Sequence, residues 1–256
     1  MDTLIADPSC SGLRVLVAGG SRGIGRAIAE GFALSGASVS ICARGADALR
    51  QAADELAVHG GIVHDQVCDL ADADAISDYV NQAAAALGGL DVVINNASGY
   101  GNGPDDASWQ AGFDLDLMAA VRCNRVALPH LRDSSAPCIL NISSINALRP
   151  TPRSMAYSAA KAAVNHYTIS LAAELARQRI RVNAIAPGST LFDGGLWDRR
   201  RLQEPDLYQR IHDSIPFGGF AHVNDIAQLA LFLASPRARW ITGQVIASDG
   251  GQSLGI

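Results

Sequence analysis

Arg14-Val15-Leu16-Val17-Ala18, followed at once by Gly19-Gly20-Ser21-Arg22-Gly23-Ile24-Gly25, is the stretch on which the fold turns. The first five residues form a short apolar run of the kind that makes a buried strand, and the residues after Gly25 carry apolar side chains at helical spacing. A strand that passes through glycines straight into a helix presents bare backbone N–H groups at a helix N-terminus, where the macrodipole favours an anion. Glycines at 19, 23 and 25 permit both the tight turn and a close approach. The segment Gly19, Ser21, Arg22, Gly23, Ile24 and Gly25 is therefore expected to cradle the pyrophosphate of a dinucleotide.

Working outward, the same alternation repeats along the chain. Strand-like runs occupy 14–19, 38–43, 61–67, 90–96, 137–143, 179–186 and 244–248. Helical spacing fills 25–34, 46–58, 72–87, 107–131 and 155–177. Strand, helix, strand in succession predicts an α/β fold with a parallel sheet covered on both faces. No linker, repeat or shift in composition divides residues 1–256, so a single domain is expected. The stretch after Pro187, rich in Gly, Arg and aromatics, is too long for a plain connection and marks a lid over about 188–222.

Composition excludes several classes of function. The 256 residues are 48% apolar with a formal charge of -5, a poor footprint for nucleic acid or an anionic membrane surface. Apolar runs break well before the ~18 residues a membrane span needs. The opening MDTLIADPSC lacks the basic region and apolar core of a signal peptide, which points to the cytoplasm. Cys10, Cys42, Cys68, Cys123 and Cys138 are scattered and read as reduced, buried thiols. The six histidines show no metal-ligand spacing, and no metal is expected.

The nucleotide is chosen where the second strand ends. An acidic residue there would bind the adenosine ribose, but Ile41-Cys42-Ala43-Arg44 ends on a guanidinium. Arg44, with Arg22 from the glycine loop, suits a 2'-phosphate and favours NADP(H) over NAD(H). The second chemical signal is Tyr157-Ser158-Ala159-Ala160-Lys161, whose phenol and ammonium share one helix face. An adjacent cation makes a phenol a workable acid or base. Just before this helix, the strand ending in Ser143 and Ser144 brings hydroxyls to the carboxyl edge of the sheet.

Taken together these segments resemble the short-chain dehydrogenase/reductase family, particularly its 3-oxoacyl-acyl-carrier-protein reductase-like members. The resemblance spans nearly the whole chain: the glycine loop, Cys68-Asp69-Leu70, Asn95-Asn96-Ala97, Ser144 with Tyr157 and Lys161, Asn183 through Pro187-Gly188, and Ser248-Asp249-Gly250-Gly251. It implies a single-domain Rossmann fold, a doubly wound seven-stranded parallel sheet with helices on both faces. Asp69 and Leu70 would line the adenine pocket, and Asn95 and Ala97 would support the cofactor. Lys161 would contact the nicotinamide ribose while assisting Tyr157, and the run Pro187, Gly188, Thr190 would lie over the nicotinamide. The implied activity is reduction of a ketone or aldehyde of a small or medium, apolar or aromatic, polyketide-like substrate, with Tyr157 as proton donor and Ser144 holding the carbonyl. The implied assembly is a homotetramer built through the helices around 107–131 and 155–177, with a dimer as the alternative.

Three positions depart from the pattern. Asp116 stands where relatives place the helix asparagine of the catalytic tetrad; the plainer reading is a tolerated isosteric change, and the alternative is that an added carboxylate near Lys161 strengthens the lysine's charge and shifts the pH optimum. Ser98 replaces a glycine after Asn95-Asn96-Ala97 and opens a loop in which Tyr100 is a candidate pocket wall. Phe192 replaces a threonine near the carboxamide, although Thr190 is close by. Phe192, Trp197, Tyr208, Ile215, Phe217 and Phe220 are expected to form an apolar wall, while Asn146, Arg149 and Arg153 leave an acidic substrate open. The alternatives are an oxidative secondary-alcohol dehydrogenase and a cofactor-binding regulator without turnover.

Overall fold

Seven parallel strands, flanked by helices, carry the chain in a computed structural model that describes residues 3–99 and 103–255. In chain order the elements are β1 (Arg14–Ala18), α1 (Gly23–Leu34), β2 (Ser38–Ala43), α2 (Ala46–Ala57), β3 (Val63–Val67), α3 (Ala73–Leu87) and β4 (Val92–Asn95). They continue as α4 (Asp106–Gly112), α5 (Ala119–Arg132), β5 (Cys138–Ile142), α6 (Met155–Leu175) and β6 (Arg181–Pro187). The chain then runs through β7 (Thr190–Leu191), α7 (Leu196–Gln203), α8 (Pro205–Asp213), β8 (Ala221–His222), α9 (Val223–Ala234) and β9 (Val245–Ser248).

The sheet order is β3-β2-β1-β4-β5-β6-β9, and every adjacent pair is parallel. The order reverses between β1 and β4, where Ala18 stands beside Asn95. Ligands of open α/β sheets bind in the crevice at such a switch point. Alternate side chains of β1 serve opposite layers: Val15 and Val17 pack with α1 and α9, whereas Leu16 and Ala18 pack with α3 and α5. This double burial is why the strands are nearly continuous apolar runs. Gly31 lets α1 lie close on α9, since a Cβ there would meet Leu231 Cδ1 at 3.1 Å. All five cysteines are buried free thiols.

Two expectations are refined. The helix expected over 107–131 is interrupted by a π-helical stretch, Phe113–Met118, which separates α4 from α5. A π segment shifts the helical phase, and such segments concentrate at functional sites. Here it carries Asp116 into the interior while Asp114 stays near the surface, paired with Gln110. The long stretch after Pro187 is also more ordered than a loop: it holds α7 and α8 between the two strands of a small parallel pair, β7 and β8. No helix among the described residues is long and apolar enough to cross a membrane.

Candidate active site

The glycine loop sits at the carboxyl end of β1. Gly19 has φ +86°, and its carbonyl accepts a hydrogen bond from Asn96 Nδ2 at 2.8 Å, which ties the loop to the end of β4. Gly23, φ +56°, opens α1, and the cap residue Arg22 makes no side-chain capping bond, so the first helical N–H groups face outward for a ligand. A Cβ at Gly25 would stand 2.1 Å from the Gly19 carbonyl oxygen. That backbone cradle fits a dinucleotide diphosphate. Gly25→Ala is expected to cost about 1–3 kcal/mol of stability through overpacking. It should also weaken binding of a reduced nicotinamide dinucleotide at least tenfold, read by fluorescence titration. Ser21 and Ile24 flank the cradle half-buried, whereas Arg22 and Arg44 are exposed and form no ion pair among the described residues.

Four side chains meet beyond β5. Ser144 lies two residues past the strand and caps a short 3-10 turn, its hydroxyl accepting the Asn146 N–H at 3.1 Å. Tyr157 lies in the first turn of α6, buried, in hydrogen-bond contact with the hydroxyls of Ser144 and Ser98. Lys161 follows one turn later on the same face, its Nζ 5.8 Å from the centre of the Tyr157 ring and donating to the Ile142 carbonyl at 2.9 Å. Asp116 Oδ1 lies 3.1 Å from Lys161 Nζ, an ion pair at contact distance but not aligned as a hydrogen bond. Asp116 Oδ2 accepts the Gly99 N–H at 3.3 Å. The side chains of this pair are 0% and 2% exposed, so the charges are held inside the protein. Burial above all, and then the Asp116 carboxylate, push the Tyr157 phenol above its ordinary range, while the Ser144 and Ser98 hydrogen bonds pull the other way.

Beneath the site runs a polar network that the sequence did not disclose. Asn95 Nδ2 donates at 2.8 Å to both Asn124 Oδ1 and Asn141 Oδ1. Asn141 passes on to Thr168 at 2.8 Å, and Asn124 reaches Tyr167 at 3.3 Å. A signal existed: Asn141 stands inside the apolar strand Cys138–Ile142, and a buried amide must find partners. Asn95 Oδ1 remains without a protein partner and lines a narrow pocket with Asp116, Ala18, Ala97 and Ile142, directly behind the switch point. A buried acceptor aimed into the crevice suits the polar edge of a cofactor.

Of the other expected cofactor residues, Asp69 is exposed, whereas Leu70 is buried in the core layer that includes Cys42 and Cys68. Pro187 and Gly188 end β6 beside β9, and Gln252 clamps Ser189 through hydrogen bonds of 2.8 and 2.9 Å. The Thr190 hydroxyl donates to the Gly188 carbonyl at 3.1 Å. Phe192 rests its ring on the glycine loop, within 2.7 Å of where a Gly23 Cβ would be.

The expected aromatic wall assembles only in part. Trp197 and Phe220 stack at 4.9 Å and Tyr208 meets Phe220 edge-on at 4.8 Å, but Phe217 is 89% exposed. The arginine run is spent within α7 and the residue after it, where Arg201 pairs with Asp198 and Arg200 with Glu204. Arg149 donates to the Gln252 carbonyl at 3.0 Å, fastening the C-terminal segment. Tyr100 lies outside the described residues.

Comparison with known proteins agrees with this geometry. The family described as enoyl-(acyl carrier protein) reductase matches residues 18–253. The chain is 32% identical over 253 residues to 7alpha-hydroxysteroid dehydrogenase of Escherichia coli (strain K12), covering 98% of this chain and 96% of that one. A 7 alpha-hydroxysteroid dehydrogenase solved with NADH and 7-oxo glycochenodeoxycholic acid has a TM-score of 0.89 at 30% identity, covering 96% of this chain and 98% of that one. L-sorbose reductase from Gluconobacter frateurii, solved with NADPH and L-sorbose, has a TM-score of 0.88 at 32% identity, with coverage of 96% and 98%. Relatives therefore hold nicotinamide dinucleotides of both kinds. With the glycine cradle at the switch point and Ser144, Tyr157 and Lys161 gathered beyond β5, the chain belongs to the short-chain dehydrogenase/reductase family, oxidoreductases that interconvert CH–OH and C=O groups.

Proposed function

We propose that this protein reduces the carbonyl of a small or medium, apolar or aromatic, polyketide-like ketone or aldehyde at the expense of NADPH. The observation that carries it is the buried Tyr157 hydroxyl, bonded to Ser144 with Lys161 one helical turn away. When bound, reduced nicotinamide supplies a hydride to the carbonyl carbon. Ser144 and Tyr157 donate hydrogen bonds to the carbonyl oxygen, and as its π bond opens Tyr157 releases its proton to that oxygen. Lys161 favours the phenolate left behind, and groups fixed in place before reaction need no reorganisation during it.

The cradle residues 19–25 would hold the diphosphate, Asp69 and Leu70 the adenine, Asn95 and Ala97 the inner ribose side, and Pro187, Gly188 and Thr190 the carboxamide. The preference for NADPH is supported by Arg22 and Arg44, both exposed and free of ion pairs among the described residues, and by the lack of a carboxylate at the end of β2. An apolar substrate is supported by the aromatic slab of the lid, whose first residue, Phe192, lies on Gly23. Five buried thiols suit the reducing cytoplasm, and exposed Met155 and Ile169 on α6 are in keeping with a homotetramer.

The test is loss of nicotinamide absorbance with NADPH and NADH in parallel, across 3-oxoacyl thioesters, diketones, quinones and aromatic ketones. Turnover with NADPH is expected. Arg44→Asp should lower kcat/KM for NADPH about tenfold, the scale of one charge-assisted contact at an exposed site, and leave NADH little changed. Faster turnover with NADH in the wild type would overturn the cofactor assignment, and turnover confined to alcohols with the oxidised cofactor would make the enzyme an oxidative dehydrogenase.

A further inference from the structure

We infer that Asp116 sets the pH range over which the site works: by opposing the charge of Lys161 inside the protein it holds Tyr157 in its proton-donating form to higher pH. The part that concerns turnover rests on the function proposed above, whereas the electrostatic part stands on the geometry alone.

Asp116 Oδ1 and Lys161 Nζ are 3.1 Å apart with almost no solvent access, so their interaction is weakly screened. Where the family pattern has an asparagine, an ammonium beside the phenol acts uncompensated and favours phenolate. Here a carboxylate stands on the far side of that ammonium and opposes it. The Asp116 charge is also felt directly at Tyr157, where it favours the neutral phenol.

No other charge offsets this balance among the described residues. From the elements packed on α6, the turn 145–147 carries no titratable side chain and Asp114 is engaged by Gln110. Arg181 on β6 is bonded to the carbonyls of Leu233 and Ala234, Asp106 on α4 is exposed, and Arg177 in the turn 176–178 is exposed at the far end of α6. Of the nearby loop cations, Arg149 is bonded to Gln252 and Arg153 is exposed. Within the first turns of α6, Lys161 is the only charged residue.

The consequence has a sign. Reduction consumes the proton of a neutral phenol, and oxidation of an alcohol needs a phenolate to take one. A phenol held neutral keeps reduction active into the alkaline range and postpones oxidation to higher pH. Asp116 touches neither substrate nor cofactor in this account; it is a positioning residue that acts through Lys161 and Tyr157.

The experiment replaces Tyr157 with a fluorinated tyrosine, whose more acidic phenol titrates where the fold survives, in wild-type and Asp116→Asn backgrounds. Phenolate absorbance of the cofactor-free protein is followed against pH. The Asn variant is expected to form phenolate roughly one pH unit lower, and with natural Tyr157 its alkaline loss of reduction and its rise in oxidation should move down together. Asp116→Ser, smaller and equally neutral, supplies a second background if the Asn variant folds poorly, and thermal melts report on that. Unchanged or upward titration in the neutral variant would overturn the inference. A downward shift in a protein without turnover would uphold the electrostatics and instead refute the proposed function.

Discussion

Tyr157→Phe is expected to lower kcat for carbonyl reduction by roughly 10²–10⁴-fold, the range that a positioned general acid contributes. The ring is buried and packed, so removing one oxygen leaves the fold intact and leaves the cradle at residues 19–25 untouched. The expected signature is a collapse of kcat with NADPH affinity within about twofold of wild type, measured by steady-state kinetics and fluorescence titration. The lost hydroxyl also leaves Ser144 and Ser98 without the partner they share. A residual rate is expected, because Ser144 and cofactor orientation survive the substitution. Retention of more than a tenth of the wild-type kcat would show that another group donates the proton.

The second large effect is on stability. Lys161→Met removes the ammonium that faces Asp116 and leaves a carboxylate with no solvent access to be desolvated alone. Breaking one partner of a buried ion pair costs about 3–5 kcal/mol, whereas replacing both partners by apolar groups is often close to neutral. Lys161→Met is therefore expected to lower Tm by roughly 10 °C or more, and Lys161→Met/Asp116→Leu should recover most of the loss. The Ile142 carbonyl loses its donor in both variants, which sets the part not recovered. Calorimetry of the three proteins checks this, and equal Tm values for the single and double variants would show that the unpaired Asp116 carboxylate carries no penalty. Both variants should lose most of their turnover, because the side chain proposed to hold the nicotinamide ribose is gone.

The parts of the site that were legible in the sequence are those written in local spacing. The glycine loop, the pairing of Tyr157 with Lys161 and the serine-bearing end of β5 each depend on residues a few positions apart within one element or turn. That the sheet is parallel followed from alternation of type, because buried strands and amphipathic helices have different periods and a helix between strands returns the chain in the same direction. The stretch after Pro187 was legible as an interruption but not as two helices. Its aromatics were recognised as a group, yet their partition into a stacked slab, an exposed Phe217 and a Phe192 lying on Gly23 depends on side-chain packing. The Asn95, Asn124 and Asn141 network escaped notice because its members come from β4, α5 and β5, and only sheet pairing and helix docking bring them together.

The sequence by itself determined the α/β architecture and the glycine-lined turn between β1 and α1, since both rest on periodicity or on short-range covalent geometry, while its resemblance to a family singled out Ser144, Tyr157 and Lys161. The resemblance placed Asp116 near Lys161, but tertiary structure alone decided that the two meet as a buried pair. Asp116 is remote in sequence from Lys161, and it faces the ammonium because a π-helical stretch shifts its phase while α6 packs against that stretch. Charge pairing inside a protein depends on distance and on exclusion of water, and neither exists until the layers close.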